Sequence, residues 1–349
     1  MSILIFPTQL FHNIDYLKSY DKIYLIEEPR YFTDFKFHKL KLAYHRATMK
    51  KYYDYLKKKK LKVHYIDYID VTNDFYISLK TKEKIVSTIY PGDFKLQKKL
   101  EKIFGKNLVI LENKNFLVKI NEFNDIKKLI YRNKKYSHDE FYKYQRRKLD
   151  ILMNNDKPEG GRWSFDKENR HALPKNEKIP QIKPIKKNKY IVEAIVYIEK
   201  NFPNNYGLLD STIFYPIDSK SSRKWLDNFL EERLNNFGPY EDAVSDKEPF
   251  IYHSVLSPMM NIGLLTDTEV VTISNAYYNK HKKSIKIESF EGFIRQVIGW
   301  RNYVYTIYNL EEDMRESNLL KHTNKLDSKK FWEGTTGILP IDSIIQKIV

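Results

Sequence analysis

The chain has no cysteine among its 349 residues. That absence excludes disulfides, zinc sites built on thiolate and iron–sulfur clusters held by cysteine. No run of eighteen apolar residues occurs, so no membrane-spanning helix is legible. The opening MSILIFPTQLF also lacks the basic segment and small-residue cleavage site of a secretory signal. The expectation is a soluble intracellular protein, cytoplasmic or associated with a nucleoid or nucleus. No glycine-rich phosphate loop follows any strand-like run, so a nucleotide held in the usual Rossmann manner is not expected. Negative charge is in deficit: 61 Lys and Arg against 45 Asp and Glu leave a net charge of +16 and a pI near 9.4. Such a balance favours a polyanionic partner, although the abundance of Lys, Asn, Ile and Tyr is also what an AT-rich genome produces.

At this length about two domains can each bury a core. Short β-rich runs at Ile3–Phe6, Ile23–Glu28, Val63–Tyr65, Lys84–Ile89 and Leu108–Leu111 alternate with helical stretches, which is the pattern of a parallel, Rossmann-like α/β sheet. The best helix covers about Phe37 to Lys60, with Leu42, Met49, Tyr53 and Leu56 on one side. A second follows Pro91-Gly92-Asp93, with Asp93 as its N-cap. Ligands of open α/β sheets sit at the carboxyl ends of strands, which places Thr8, Gln9, Glu27 and Glu28 beside any pocket there. From Leu117 to Asn155 the reading is helical. A polar stretch with one tryptophan, Trp163, then leads into IPQIKPIKKNK, an exposed linker in which Trp163 pins the connection to a surface.

After Tyr190 the strand-like runs stop and the remainder reads as all-α. The division expected is an α/β domain over 1–115, a helical connection and linker over 116–190 and a helical domain over 191–349. The helical part is organised around Glu291 to Tyr308. There Phe293, Val297, Trp300, Val304 and Ile307 form one apolar stripe at helical spacing, and Ile294, Ile298, Tyr305 and Tyr308 a second. A helix this apolar is buried, yet it carries Glu291, Arg295, Gln296 and Arg301, and an interior guanidinium needs carboxylate, phosphate or dense acceptors. Glu291 and Arg295 can pair, leaving Arg301 and Gln296 in search of partners. Gly299 marks a close approach by a neighbouring backbone or a flat ligand. A core helix with internal salt bridges explains the same residues without any ligand. Upstream, Ser254 and Ser257 lie at a helix start with Pro258 in the first turn, a place where hydroxyls and free N–H groups converge on a phosphate or where Ser257 acts as an ordinary N-cap. Arg146, Arg147, Lys282 and Lys283 lie in basic segments with aromatics nearby and are candidate nucleic-acid contacts.

Several segments together resemble one family. FHKLKLAYHRATMKKY, FYKYQRRKLDILM, KPEGGRWSFDKENR, FGPYEDAV, HSVLSPMMNIGLLT, FIRQVIGWRNYV and FWEGTTGILPID are similar, in order, to motifs of the deoxyribodipyrimidine photolyase-related proteins, the prokaryotic (6-4) photolyase and cryptochrome group. The resemblance implies an α/β antenna domain, a long linker and a helical domain that holds folded FAD. It places the phosphate loop on Ser254 and Ser257 with Asn261 nearby, and the flavin-pocket helix on Arg295, Gln296, Trp300 and Arg301. It further implies light-driven electron transfer from reduced flavin to a pyrimidine photoproduct in DNA.

Three departures accompany it. Pro340 stands where iron–sulfur members have a cluster cysteine. Thr8 replaces the acidic residue of the N-terminal Asp-Gln-Leu motif, which argues against a lumazine-type antenna chromophore. The sequence ends at Val349, before the family's His-His helix. The corresponding expectation is a truncated or split protein, inactive alone, whose apolar last segment (Ile338, Leu339, Ile341, Ile344, Ile345, Ile348 and Val349) stands open to a second polypeptide carrying further helices. A basic DNA-binding module without flavin is the alternative from a different class.

Overall fold

The computed structural model describes residues 1–209, 215–318, 321, 323 and 328–348. Strands β1 (Ser2–Ile5), β2 (Lys22–Ile26), β3 (Val63–Ile66), β4 (Val86–Ile89) and β5 (Leu108–Leu111) form one wholly parallel sheet in the order β3-β2-β1-β4-β5. The central strands β1 (SILI) and β4 (VSTI) are buried along their whole length, as strands covered on both faces must be. Three of the four crossovers run through α1 (Lys39–Lys58), α2 (Asn73–Lys82) and α3 (Phe94–Phe104), and β1 reaches β2 through a 3-10 turn at Asp15–Ser19. Asp93 caps α3 as expected, its Oδ1 accepting from the Leu96 N–H at 3.0 Å.

The stretch expected to be helical from 117 to 155 is interrupted. Helix α4 (Phe123–Ile130) stops at a two-stranded hairpin, Tyr131–Arg132 against Lys135–Tyr136, which turns on Asn133 and Lys134 at φ +51° and +60°. Two adjacent left-handed residues are the backbone that a tight hairpin of this twist demands. Helix α5 (His138–Leu149) then ends on Asp150 at φ +50°. The helical region comprises α6 (Lys189–Asn201), α7 (Ser219–Glu232), α8 (Leu234–Phe237), α9 (Ser257–Asn261), α10 (Asp267–Lys280), α11 (Ile287–Ile294), a π-helical turn at Arg295–Arg301, α12 (Asn302–Leu310), α13 (Glu312–Glu316), α14 (Ser328–Glu333) and α15 (Leu339–Ile348).

One apolar core runs through both regions. It joins Ile3, Ile5 and Leu25 of the sheet to Leu42, Met49 and Leu56 of α1, Ile191 and Ile198 of α6, and Phe293 and Ile298. The other face of the sheet packs Leu4, Phe6 and Val86 on α2 and α3. Polar pins reinforce this union: Leu10 N–H donates to the Ile262 carbonyl (2.9 Å), Asn115 Nδ2 to the Met260 carbonyl (2.6 Å) and Tyr44 OH to the Pro216 carbonyl (2.8 Å).

The carboxyl ends of the strands, expected to flank a pocket, are filled from within. Gln9 is buried and bridges the two central strands, accepting from Phe6 N–H (3.0 Å) and donating to the Ile89 carbonyl (2.8 Å). Glu27 is buried against Arg46, which also meets Asp67 and, through Nη2 at 2.7 Å, Glu193 of α6. Glu28 is held by Tyr76 and by Lys99 at 2.7 Å. These carboxylates are taken up by side chains of α1, α2 and α3, and α6 joins the cluster only through Glu193 on Arg46. The last helix, α15, exposes Leu339, Ile341, Ile344 and Ile348 and buries Ile345; Val349 lies outside the described residues.

Candidate functional site

Residues 254–256 form a loop that leads into α9 at Ser257, a helix start without a side-chain cap. Leu256, not Ser257, occupies the N-cap of α9, no side chain caps it, and Pro258 falls in the first turn. Val255 takes φ +53° and Leu256 follows in right-handed geometry. This alternation turns successive N–H groups to one side, an arrangement that attracts anions. Among the described residues the N–H groups of Val255, Leu256 and Ser257 have no acceptor. Trp225 fixes the loop, its Nε1 donating to the Ser254 carbonyl at 3.0 Å.

Facing the loop is the π turn. A π turn carries more residues than an α turn, yet Phe293, Val297, Trp300 and Val304 of the stripe read from the sequence still line one cavity together. Phe293, Val297, Ile298 and Tyr305 remain buried, but Trp300 and Val304, expected inside, are 44% and 59% exposed. The close approach at Gly299 is made by side chains: a Cβ there would lie 3.1 Å from His138 Nε2 and 3.2 Å from Tyr142 Cδ2 of α5. His138 stacks on Trp300 with centroids 3.8 Å apart and is pushed down to about pKa 4, chiefly by burial and then by Arg295.

Loop and turn enclose a cavity of about 910 Å³. Ser254, Ser257, Gln296, Trp300 and Arg301 all line it, with Phe293, Tyr308 and Phe116 among its apolar walls. Arg295 does not reach it. That guanidinium is buried among Glu291 (3.3 Å), Asp166 (3.3 Å) and Glu241 (3.4 Å) and ties the 159–170 loop to the helix. Glu291 also accepts from Tyr142 OH (2.8 Å) and Phe165 N–H (3.0 Å). Asn261 stands behind the wall, its Oδ1 accepting from Arg301 Nη1 at 2.7 Å.

Arg301 and Gln296 have found protein partners. Arg301 Nε meets Asp267 Oδ1 at 2.8 Å, and its guanidinium lies 4.7 Å from the Phe116 ring. Asp267 is buried, a position that raises its carboxyl above the usual range against the pull of Arg301. Three of the five guanidinium N–H groups are engaged, counting a 3.4 Å bond to the Met260 carbonyl, so two remain for a ligand. Gln296 donates to Glu241, whose carboxyl is likewise raised, first by burial.

Sequence reasoning missed Glu241, His253, Asp267 and His138. Glu241 lies inside FGPYEDAV, and its signal was an acid beside an aromatic in an otherwise apolar stretch. Asp267 left no signal of its own, since a carboxylate in the first turn after a Thr266–Glu269 capping box is what any helix start shows.

The basic candidates separate. Arg146 is fully buried, donating to the carbonyls of Ile151 (3.3 Å), Trp163 (2.8 Å), Arg162 (3.4 Å) and Leu152, so it is a structural staple and not a surface contact. A guanidinium has enough donors to gather a whole turn of carbonyls, and α5 aims it inward. Arg147 is exposed, 4.6 Å over the Trp163 ring, and the half-buried Trp163 holds the connection in place. Lys282 is exposed and pairs with Glu159 at 2.8 Å; Lys283 is exposed beside it. Among the described residues no helix is long and apolar enough to cross a membrane, and no group of side chains is arranged to hold a metal ion.

A family model for deoxyribodipyrimidine photo-lyase-related proteins matches residues 3–214. The chain belongs to that family. A (6-4) photolyase of Agrobacterium fabrum is 29% identical over 323 residues, covering 89% of this chain and 62% of its own length. An uncharacterized protein of Acanthamoeba polyphaga mimivirus, R852, is 33% identical over 187 residues, 49% of this chain and 94% of that protein. Among solved structures, a bacterial class III photolyase from Agrobacterium tumefaciens superposes with TM-score 0.58 at 14% identity, covering 98% of this chain and 67% of that one. The Synechocystis sp. PCC6803 cryptochrome gives 0.61 at 12% identity, with 99% and 70% covered. The parallel five-stranded α/β region followed by a helical region is therefore the photolyase/cryptochrome fold.

Proposed function

We propose that the cavity between residues 254–257 and the π turn holds FAD and that the protein is a photolyase- or cryptochrome-type flavoprotein acting on photoproducts in DNA. One observation carries the reading. Two segments about forty residues apart, each resembling the family's cofactor motifs in its sequence, converge on one cavity of about 910 Å³, within the roughly 300–1,000 Å³ of ligand pockets.

The donor set fits the cofactor. Ser254, Ser257 and the unaccepted N–H groups of 255–257 suit a diphosphate, as do the two spare N–H groups of Arg301. Trp300, Phe293 and Tyr308 offer flat apolar surface to a ring system. Reduced FAD, when bound, supplies light-driven electron transfer to a pyrimidine photoproduct. The chain's own contribution is to fix position and exclude water: Asp267 and Asn261 hold Arg301, and Glu241 holds Gln296. Thr8 and the filled strand ends speak against an antenna chromophore of lumazine type. The open apolar face of α15 fits a polypeptide partner that supplies further helices. A second reading, a basic DNA-binding module without flavin, draws on the compensation of Arg301 by Asp267, since the pair needs no phosphate to be satisfied.

The test is flavin content after reconstitution with FAD. Ser257 is exposed at the loop and its replacement leaves the core intact. Ser257→Asp should lower affinity at least about tenfold, roughly 1.4 kcal/mol, by placing a carboxylate against the diphosphate, while Ser257→Asn should retain flavin. Equal stoichiometry in wild type and Ser257→Asp, or a colourless wild type, sinks the assignment.

A further inference from the structure

A second concavity of about 850 Å³ lies on the other side of the ridge that walls the first. Val304 and Tyr308 line both, so the two spaces are neighbours across one helix, α12. The far side of this groove is built by α3 of the α/β region and by the 131–136 hairpin. Its floor is aromatic, with Phe94, Tyr136, Tyr303 and Tyr308.

Its charges are unbalanced. Arg30 is neutralised by Asp34 (2.7 Å) and Asp93 (2.6 Å), and Glu311 by Lys127 (2.8 Å). Lys95 and Lys135 are exposed and, among the described residues, have no carboxylate within 4 Å. Arg315 is the most telling of the three. Its guanidinium lies 4.5 Å from the Phe94 ring and 5.1 Å from the Tyr308 ring, and its side chain is only 11% exposed. Its Nε is buried without a partner. Its one carboxylate neighbour among the described residues, Glu312 at 3.8 Å, is already held by Lys98. A cation buried this far with a spare donor calls for an anion.

We propose that this groove seats a segment of single-stranded DNA, its phosphates on Lys95, Lys135 and Arg315 and its bases against Phe94, Tyr136 and Tyr308. Aromatic faces beside unpaired cations are the arrangement that holds a single strand without reading its sequence. A strand suits the site better than a free nucleotide because the groove is open and runs over Val304 and Tyr308 to the mouth of the first cavity. An acidic peptide would match the cations but would leave the row of rings without flat partners. The inference rests on reading the first cavity as the place where a base from the same DNA enters, and the test keeps the two apart.

The probe is fluorescein-labelled oligothymidylate of about ten nucleotides, read by anisotropy across a salt series, with flavin content measured on the same preparations. For single strands log K falls by about 0.7 per phosphate contact per unit of log salt. Lys95→Gln/Lys135→Gln should therefore flatten the slope by about 1.4 and weaken low-salt binding at least about tenfold. Arg315→Gln should weaken it similarly. The control, Lys57→Gln/Lys58→Gln at the exposed end of α1, should change neither. Wild-type affinity and slope in the groove variants, an equal loss in the control or no binding by the wild type would each overturn the proposal. Oligonucleotide binding without flavin would leave the groove standing and remove the cofactor reading. Flavin retained without oligonucleotide binding would do the reverse.

Discussion

Replacing Arg146 by leucine separates a structural role from a nucleic-acid role at a residue whose sequence context suggests the latter. In the fold its guanidinium donates to four carbonyls, two of them well placed (Trp163 at 2.8 Å, and Leu152) and two long, at 3.3 and 3.4 Å. A hydrogen bond from a charged donor contributes about 1.5–3 kcal/mol. Counting the two good bonds near the lower end, with a further part for the carbonyls left dry, gives a loss of about 4 kcal/mol. For a chain of this size that is a fall in melting temperature of roughly 5 °C. Arg147→Leu removes only an exposed contact with the Trp163 ring and should cost less than about 1 kcal/mol. The assay is thermal unfolding followed by circular dichroism, with DNA binding measured below the transition. If Arg146→Leu melts within a degree of the wild type and loses DNA affinity, the structural assignment is refuted.

Two further outcomes follow from buried groups and backbone geometry. His45 is buried and held down to about pKa 3, first by burial and then by Lys41; above pH 6.5 it is neutral in both states, and as pH falls toward 3 the unfolded chain takes a proton that the fold refuses. Stability should drop by up to about 1.4 kcal/mol per pH unit across that window, and urea midpoints at pH 6.5 and 5 should show a shallower drop in His45→Phe; parallel losses would contradict this. Gly207, at φ +88°, would place a Cβ 2.1 Å from the His38 ring, whereas Gly161, at φ +71°, has nothing within 4 Å. Gly161→Ala should cost about 1–2 kcal/mol from the left-handed backbone alone, and Gly207→Ala at least about 1 kcal/mol more, because the ring must move and give up its 2.8 Å bond to the Ile348 carbonyl; equal urea midpoints in the two variants would refute the steric account.

The sheet was legible because its strands are short β-branched runs bounded by turns, and all five lie within three residues of where the pattern put them. Helix α1 and the Asp93 cap were legible for the same reason: local chemistry decides them. The π turn was not, since nothing in EGFIRQVIGWRNYVYTIY marks where a turn takes an extra residue; Phe293, Val297, Trp300 and Val304 do share one side as their spacing predicts, but that side is a cavity wall and leaves Trp300 and Val304 exposed. The Glu291–Arg295 pair could be read from its spacing of four. The partners of Arg301 and Gln296 could not, because Asp267 and Glu241 come from elsewhere in the chain and only the packing of α10 and the 238–253 loop brings them in. Arg146 shows the same limit, as a basic run near aromatics looks alike whether its guanidinium faces water or a ring of carbonyls.

Arg46 has a wider consequence. It gathers Glu27 after β2, Asp67 after β3 and Glu193 of α6, and α6 reaches the sheet only after the mostly exposed residues 171–188 have been crossed. The Leu10–Ile262, Asn115–Met260 and Tyr44–Pro216 bonds and the shared apolar core also join residues that lie on opposite sides of that stretch. Peptide continuity across 171–188 is therefore not what keeps the sheet and the helices together. A nick there severs the chain without separating its halves, and the same architecture can in principle be assembled from two shorter chains that meet through α1 and α6.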